Sequence, residues 1–186
     1  MLVCVTHPIW CGQLTGRVVA VASYLLVIGD REALAWILTE ARMAFPAYRR
    51  REVADLKTGD DLFLYTTRGC FRNPTRDRGR VIGLAKALEP PTQLSEPVTV
   101  AGREFELGCS IKLSRLTPYP DGVELAPLIP ELDSFPNKHG WATSLRRPLF
   151  FLEVGDARLL AGLMTVRRQP SDAIPGYVTA ARIAGG

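Results

Sequence analysis

Apolar and polar positions divide this chain into short segments whose period keeps changing. Ser23-Tyr-Leu-Leu-Val-Ile28 is a continuous apolar run closed by Gly29-Asp30, the pattern of a buried strand. Leu34, Ile37, Leu38 and Ala41 then recur at i, i+3, i+4 and i+7, which predicts an amphipathic helix over 31–42 with Asp30 as its cap. Pro46 ends helical character, and a further short helical turn is expected within 50–57. Lys57-Thr-Gly-Asp60 reads as a turn leading into a strand over Leu62–Thr66. Residues 68–80 are polar and loop-like, and a strand follows over 81–88.

Beyond a Pro-Pro break, 98–101 and 103–115 flank Gly102 and predict a hairpin with a long second strand. A short helix is expected at 127–132, a strand at 149–154, and a last helix over 157–164 capped by Asp156. About six short strands with two or three helices give an α+β class. The helices do not alternate regularly with the strands, which argues against a doubly wound parallel sheet. A closed or nearly closed barrel with packed helices fits better. Residues 1–21 are read as an N-terminal extension, 22–164 as the domain, and 165–186 as a C-terminal tail without periodicity.

Composition changes this picture little. With 186 residues, 47% apolar and 23% charged, the chain has the profile of a globular protein able to bury its own core. The apolar run over 18–28 is too short to span a bilayer, so no membrane partner is expected. The net charge is +4, and arginine outnumbers lysine 19 to 4. Guanidinium forks suit phosphates and stack on bases, but a compositional bias would produce the same ratio, so distribution must decide. Three clusters stand out: Arg49–Arg51, five arginines between Arg68 and Arg80, and Arg146-Arg147. The four cysteines form no CxxC pair. Cys4, His7 and Cys11 have metal-like spacing but no nearby fourth ligand, so no metal site is expected and the protein is read as reduced and cytoplasmic.

No glycine-rich phosphate loop, nucleophile elbow or zinc-deaminase motif is present in the sequence. Of the two histidines, only His139 lies in the expected domain, with no nucleophile placed beside it. An enzyme would have to draw on Glu153, Asp156 or His139; no catalytic residues are assigned.

Three ordered stretches resemble the EVE domain, a PUA-like family related to YTH domains. They are Tyr24–Ile28 with its helix; Ala44-Phe45-Pro46, Arg49–Arg51 and Leu56–Asp60 leading into Leu62–Tyr65; and Phe135–Lys138 with Trp141, Arg146 and Pro148-Leu149. Arg80–Gly83 lies between them. The resemblance covers about 23–164. It implies a PUA-like β-barrel of about six strands with packed flanking helices, a pocket that accepts a base from nucleic acid, DNA or RNA, and neither catalysis nor a cofactor. Some members of the family read modified bases. The family often carries tryptophan where this chain has Met43, which changes the wall a base would meet.

Such a pocket needs flat apolar walls, a few polar groups for the base edge, and cations at its rim for phosphate. Trp141, a tryptophan in a polar loop, is the leading wall candidate. Phe45, Tyr65, Tyr24 and Met43 are the other lining candidates, and Asn137 and Ser144 are candidate edge readers. Arg49, Arg50, Arg68, Arg72, Arg76, Lys138 and Arg146 are candidate phosphate contacts. The alternative is a binder of a free nucleoside or nucleotide using the same pocket; an enzyme acting on nucleic acid is a third reading.

Overall fold

The computed structural model describes residues 21–46, 51–73, 75–164 and 169–183. Its backbone is one mixed sheet curled into an open half-barrel, with helices on both faces. The first four elements are strand β1 (Ser23–Ile28), helix α1 (Arg31–Glu40), strand β2 (Arg42–Phe45) and short helix α2 (Arg51–Ala54). Strands β3 (Asp61–Thr66), β4 (Arg80–Ala87), β5 (Thr92–Val100), β6 (Arg103–Leu116) and β7 (Val123–Glu124) follow. A 3-10 turn (Ala126–Glu131), α3 (Trp141–Ser144), β8 (Leu149–Leu152), α4 (Val154–Leu163) and α5 (Pro170–Ile183) complete the chain. The main path through the sheet is β2-β6-β4-β3-β1-β8, with β5 paired to β6 and β7 to β4.

β1 runs parallel to β3, and the other pairings are antiparallel. Register shifts at Leu64/Tyr65 and at Leu84/Ala85 interrupt the β3–β4 and β4–β6 ladders. Such irregularities increase local bend and twist. β2 and β8, at the two ends of the path, remain unpaired with each other, so the expected closed barrel is instead a half-barrel.

The central strands read as unbroken apolar runs because both faces of the sheet are covered. Tyr24, Leu26 and Ile28 of β1, with Leu62 and Leu64 of β3, join the core beneath α1 and α5. Leu25, Phe63 and Tyr65 join the opposite core with Leu132, Phe135 and Leu160. Alternate side chains of one strand thus serve two cores. The turn before β3 is held by Asp60, whose carboxylate accepts the Lys57 N–H at 2.8 Å and the Ala22 N–H at 3.0 Å.

Four sequence expectations change. Helix α1 stops at Glu40, because Ala41 turns left-handed at φ 50°, and Arg42–Phe45 is a strand instead. The hairpin strand before Gly102 begins at Thr92 rather than 98. α4 begins at Val154 with Glu153 at its N-cap position, so Asp156 is not the cap. The Asp156 carboxylate instead accepts the backbone N–H groups of Asp133 and Ser134 at 3.1 and 2.7 Å, tying that loop to the helix. Finally, most of 165–186 is helix α5, whose Tyr177 is 1% exposed in the first core.

Candidate functional site

β1 and β2 are nearly consecutive in sequence, yet β3, β4 and β6 separate them in the sheet. The curl brings β2 back towards the C-terminal end of β1, and α1 connects the two. The space left there is a cavity of about 590 Å³, within the range of ligand sites. It is bounded by Leu26–Asp30, by Ala33 and Ile37 of α1, by Met43–Pro46, by the tip of the β5–β6 hairpin and by 145–148. Two backbone hydrogen bonds fix these segments: Val27 N–H to Pro148 O at 2.8 Å and Thr67 N–H to Ile28 O at 3.0 Å.

The floor is apolar. Ile28, Ile37, Met43 and Phe45 line it and are otherwise buried. β2 lies close against β6 because residue 108 is glycine; a Cβ there would meet the Met43 carbonyl oxygen at 2.9 Å. The hairpin turns on Ala101 and Gly102, at φ 51° and 69°, which points its tip over the cavity. Phe105 supplies a half-buried aromatic wall, and the Arg103 guanidinium carbon lies 5.9 Å from its ring centroid. Residues 103 and 105 share a strand face, so this pairing follows from the period of two.

The rim is cationic. Arg103, Arg146 and Arg147 line the cavity and are exposed. Asp30 is the one carboxylate among the described lining residues, and that group is engaged. One oxygen accepts the Glu32 and Ala33 N–H groups at 2.7 and 3.4 Å, and the other lies 3.8 Å from Arg72. Thr67 supplies the one side-chain hydroxyl among the described lining residues. A flat apolar interior under guanidinium groups suits a planar aromatic ligand that carries or adjoins an anion.

The structure brings Met43, Phe45 and Arg146 together at this cavity. The other described candidates do not line it. Trp141 is half-buried and meets Phe135 edge-on at 6.2 Å, within the second core. Tyr24 packs edge-on against Phe151 at 5.9 Å, and Tyr65 is 4% exposed in the opposite core. Burial pushes the Tyr65 phenol up to about 12 and raises that of Tyr24, the latter helped by Asp60 and Asp55. The Asn137 side chain accepts the Gly140 N–H at 2.9 Å and closes its own loop; Ser144 ends α3.

Among the cationic candidates, Arg72 pairs with Asp30 and with Glu32 at 3.9 Å. Arg76 donates to Asp77 at 2.8 Å and to the Tyr119 hydroxyl at 3.4 Å. Lys138 donates to the Leu132 carbonyl. Arg68 is exposed in the loop after β3. Arg49 and Arg50 lie outside the described residues, as do Cys4, His7 and Cys11. Phe105 and Arg103 were not singled out from sequence. The signal available was a hairpin predicted with Gly102 at its turn, but nothing in the chain's local pattern points that turn at β1.

Other chemistry is sparse. Burial pushes the thiols of Cys70 and Cys109 up to about 12, which leaves them poor nucleophiles. No cluster of three metal-ligating side chains occurs among the described residues, and no helix there is long and apolar enough to cross a membrane. Glu153, Asp156 and His139 do not line the cavity.

No family model matches the chain, and no curated protein matches it in sequence. Solved structures do match it in shape. The human THYN1 protein, solved in complex with 5-methylcytosine-containing DNA, is 13% identical. That alignment covers 79% of this chain and 99% of THYN1, with a TM-score of 0.51. Protein PSPTO5229 from Pseudomonas syringae aligns over 76% of this chain and 99% of its own, at 10% identity and a TM-score of 0.49. Rpa0253 from Rhodopseudomonas palustris aligns over 78% and 96%, at 16% identity and a TM-score of 0.47. This chain shares its fold with THYN1.

Proposed function

We propose that this chain is a non-catalytic nucleic-acid-binding module that takes one base, in modified form, into the 590 Å³ cavity. The observation that carries the reading is the cavity's composition: an apolar floor of Met43 and Phe45, an aromatic wall at Phe105, and three arginines at the rim. A base withdrawn from its stack exchanges base–base contact for contact with such surfaces. Arg146, Arg147 and Arg103 then meet the phosphates beside that base, and Arg68, Arg72 and Arg76 in the adjoining loop extend the cationic track. The fold shared with THYN1, solved with methylated DNA, supports nucleic acid as the partner class.

The cavity also has room for a free nucleoside, which is the second reading. Anisotropy titrations separate the two. A labelled strand carrying 5-methylcytosine is compared with unmodified strand, duplex, and unlabelled 5-methylcytidine as competitor, at several salt concentrations. The module reading predicts that the strand binds far more tightly than the nucleoside. Its log affinity falls against log salt with a slope near −2, roughly what three phosphate contacts on a single strand give. Equal affinity for nucleoside and strand, with no salt dependence, would overturn it in favour of the small-molecule reading.

A further inference from the structure

A second cavity, of about 270 Å³, lies between the 68–80 loop, the segment after β6 and α5. Three rings border it in sequence: Phe71 meets Tyr119 edge-on at 5.2 Å, and Tyr119 meets Tyr177 edge-on at 5.6 Å. α5 is what closes it, because Tyr177 belongs to that helix and is held by a 3.3 Å hydrogen bond with the Thr117 hydroxyl.

Two charged side chains on this cavity are incompletely satisfied. One Asp77 carboxylate oxygen accepts from Arg76 at 2.8 Å, while the other, Oδ2, is buried without a partner among the described residues. Arg80 donates from one terminal nitrogen to Glu124 at 2.9 Å and from the other to the Pro120 carbonyl. Its Nε–H is buried and unpaired among the described residues. Two side chains that line one cavity thus each keep a buried polar atom unpaired, an acceptor and a donor, and a partner that supplied both complements would complete them. The aromatic border favours a flat apolar body. An N–H donor and an acceptor on one edge of a planar ring is the chemistry of a nucleobase.

The two cavities share a wall. Thr66 lines the smaller and Thr67 the larger, and between Phe71 and Arg76 of the smaller cavity Arg72 reaches Asp30 of the larger. We propose that the smaller cavity takes the base of a neighbouring nucleotide, read by Asp77 and Arg80, so that one strand occupies both cavities. This inference rests on the nucleic-acid reading above.

The test is an abasic scan on the wild-type protein, paired with Asp77→Asn, which keeps the shape but replaces the open acceptor with a donor. Strands carrying 5-methylcytosine are made with an abasic residue at either adjacent position. The proposal predicts that one of these abasic strands binds about tenfold more weakly. Asp77→Asn should weaken the intact strand by a similar factor and leave that abasic strand unaffected. A thermal melt confirms that the variant is folded, and the scan on the wild type stands independently of it. If the wild type binds the intact strand and both abasic strands within twofold of one another, the second subsite is wrong and the first cavity stands. If the wild type binds no strand at all, the nucleic-acid reading falls and this inference with it.

Discussion

Phe105 is the only half-buried aromatic ring on the larger cavity among the described residues, so its replacement tests the wall with least cost to the fold. Phe105→Ala is expected to weaken strand binding by about 1–3 kcal/mol, the usual worth of one base–aromatic stack. Trp141→Ala should instead lower stability, on the order of 2 kcal/mol, and leave affinity unchanged, because its ring packs on Phe135. Titration against both variants, alongside their denaturation midpoints, checks the pair. At the same scale, burial holds the phenols of Tyr65 and Tyr177 neutral in the folded state, pushed up to about 12 from the ordinary value of 10.0. Their folded-state values exceed the unfolded ones, so this contribution to stability is fully present below pH 10 and is lost as pH rises towards 12. Phenolate absorbance should therefore rise late for these rings and together with loss of circular dichroism. Early ionisation of all tyrosines in a folded protein would contradict their burial. From sequence alone, Met43 and Phe45 were legible as lining candidates and Arg146 as a candidate phosphate contact, and the structure places all three on one cavity. Trp141 drew attention for its polar neighbours, but those neighbours are a loop closed on itself by Asn137 and Gly140.

At the scale of elements, periodicity located β1, α1, β3 and β4 because each has a long apolar run or a clear helical stripe. β2 was illegible for a physical reason. Its four residues follow directly on a helix that ends at a left-handed alanine, and a two-period alternation that short is submerged in the helical pattern. α5 was missed because Pro175 and Gly176 inside it mimic the punctuation of a tail. Tertiary packing overrides that signal: Ala173, Tyr177 and Ala181, spaced four apart, are buried. Tyr177→Ala is accordingly expected to lower stability by about 3–5 kcal/mol, as large aromatic truncations in a core do. Chemical denaturation measures this directly, and a change below about 1 kcal/mol would show that α5 is dispensable to the core.

The whole molecule separates two tasks. The sheet and its two cores make the frame, and the cavities border the ends of its central strands, the larger at Leu26–Ile28 and the smaller at Thr66. The α+β class was legible because a set of short strands with irregularly placed helices stays recognisable even though β2, β7 and α5 were not expected. The degree of closure was not, because it depends on register shifts between paired strands, which the pattern of a single strand does not encode. Arginines spread over three sequence segments converge partly at this end of the half-barrel, from 103, 146–147 and the 68–80 loop. Replacing Arg146 and Arg147 together with alanine should weaken every strand to a similar degree, methylated or not, and reduce the salt slope by about one to two. The central claim, that a base enters the larger cavity, is tested most directly by photo-crosslinking. A short strand carrying 5-iodocytosine in place of the methylated base is bound, irradiated, and the modified peptide identified by mass spectrometry. The account predicts an adduct at Phe105 or on the β2 segment 43–46. An adduct on Trp141, with none at the cavity, would contradict it.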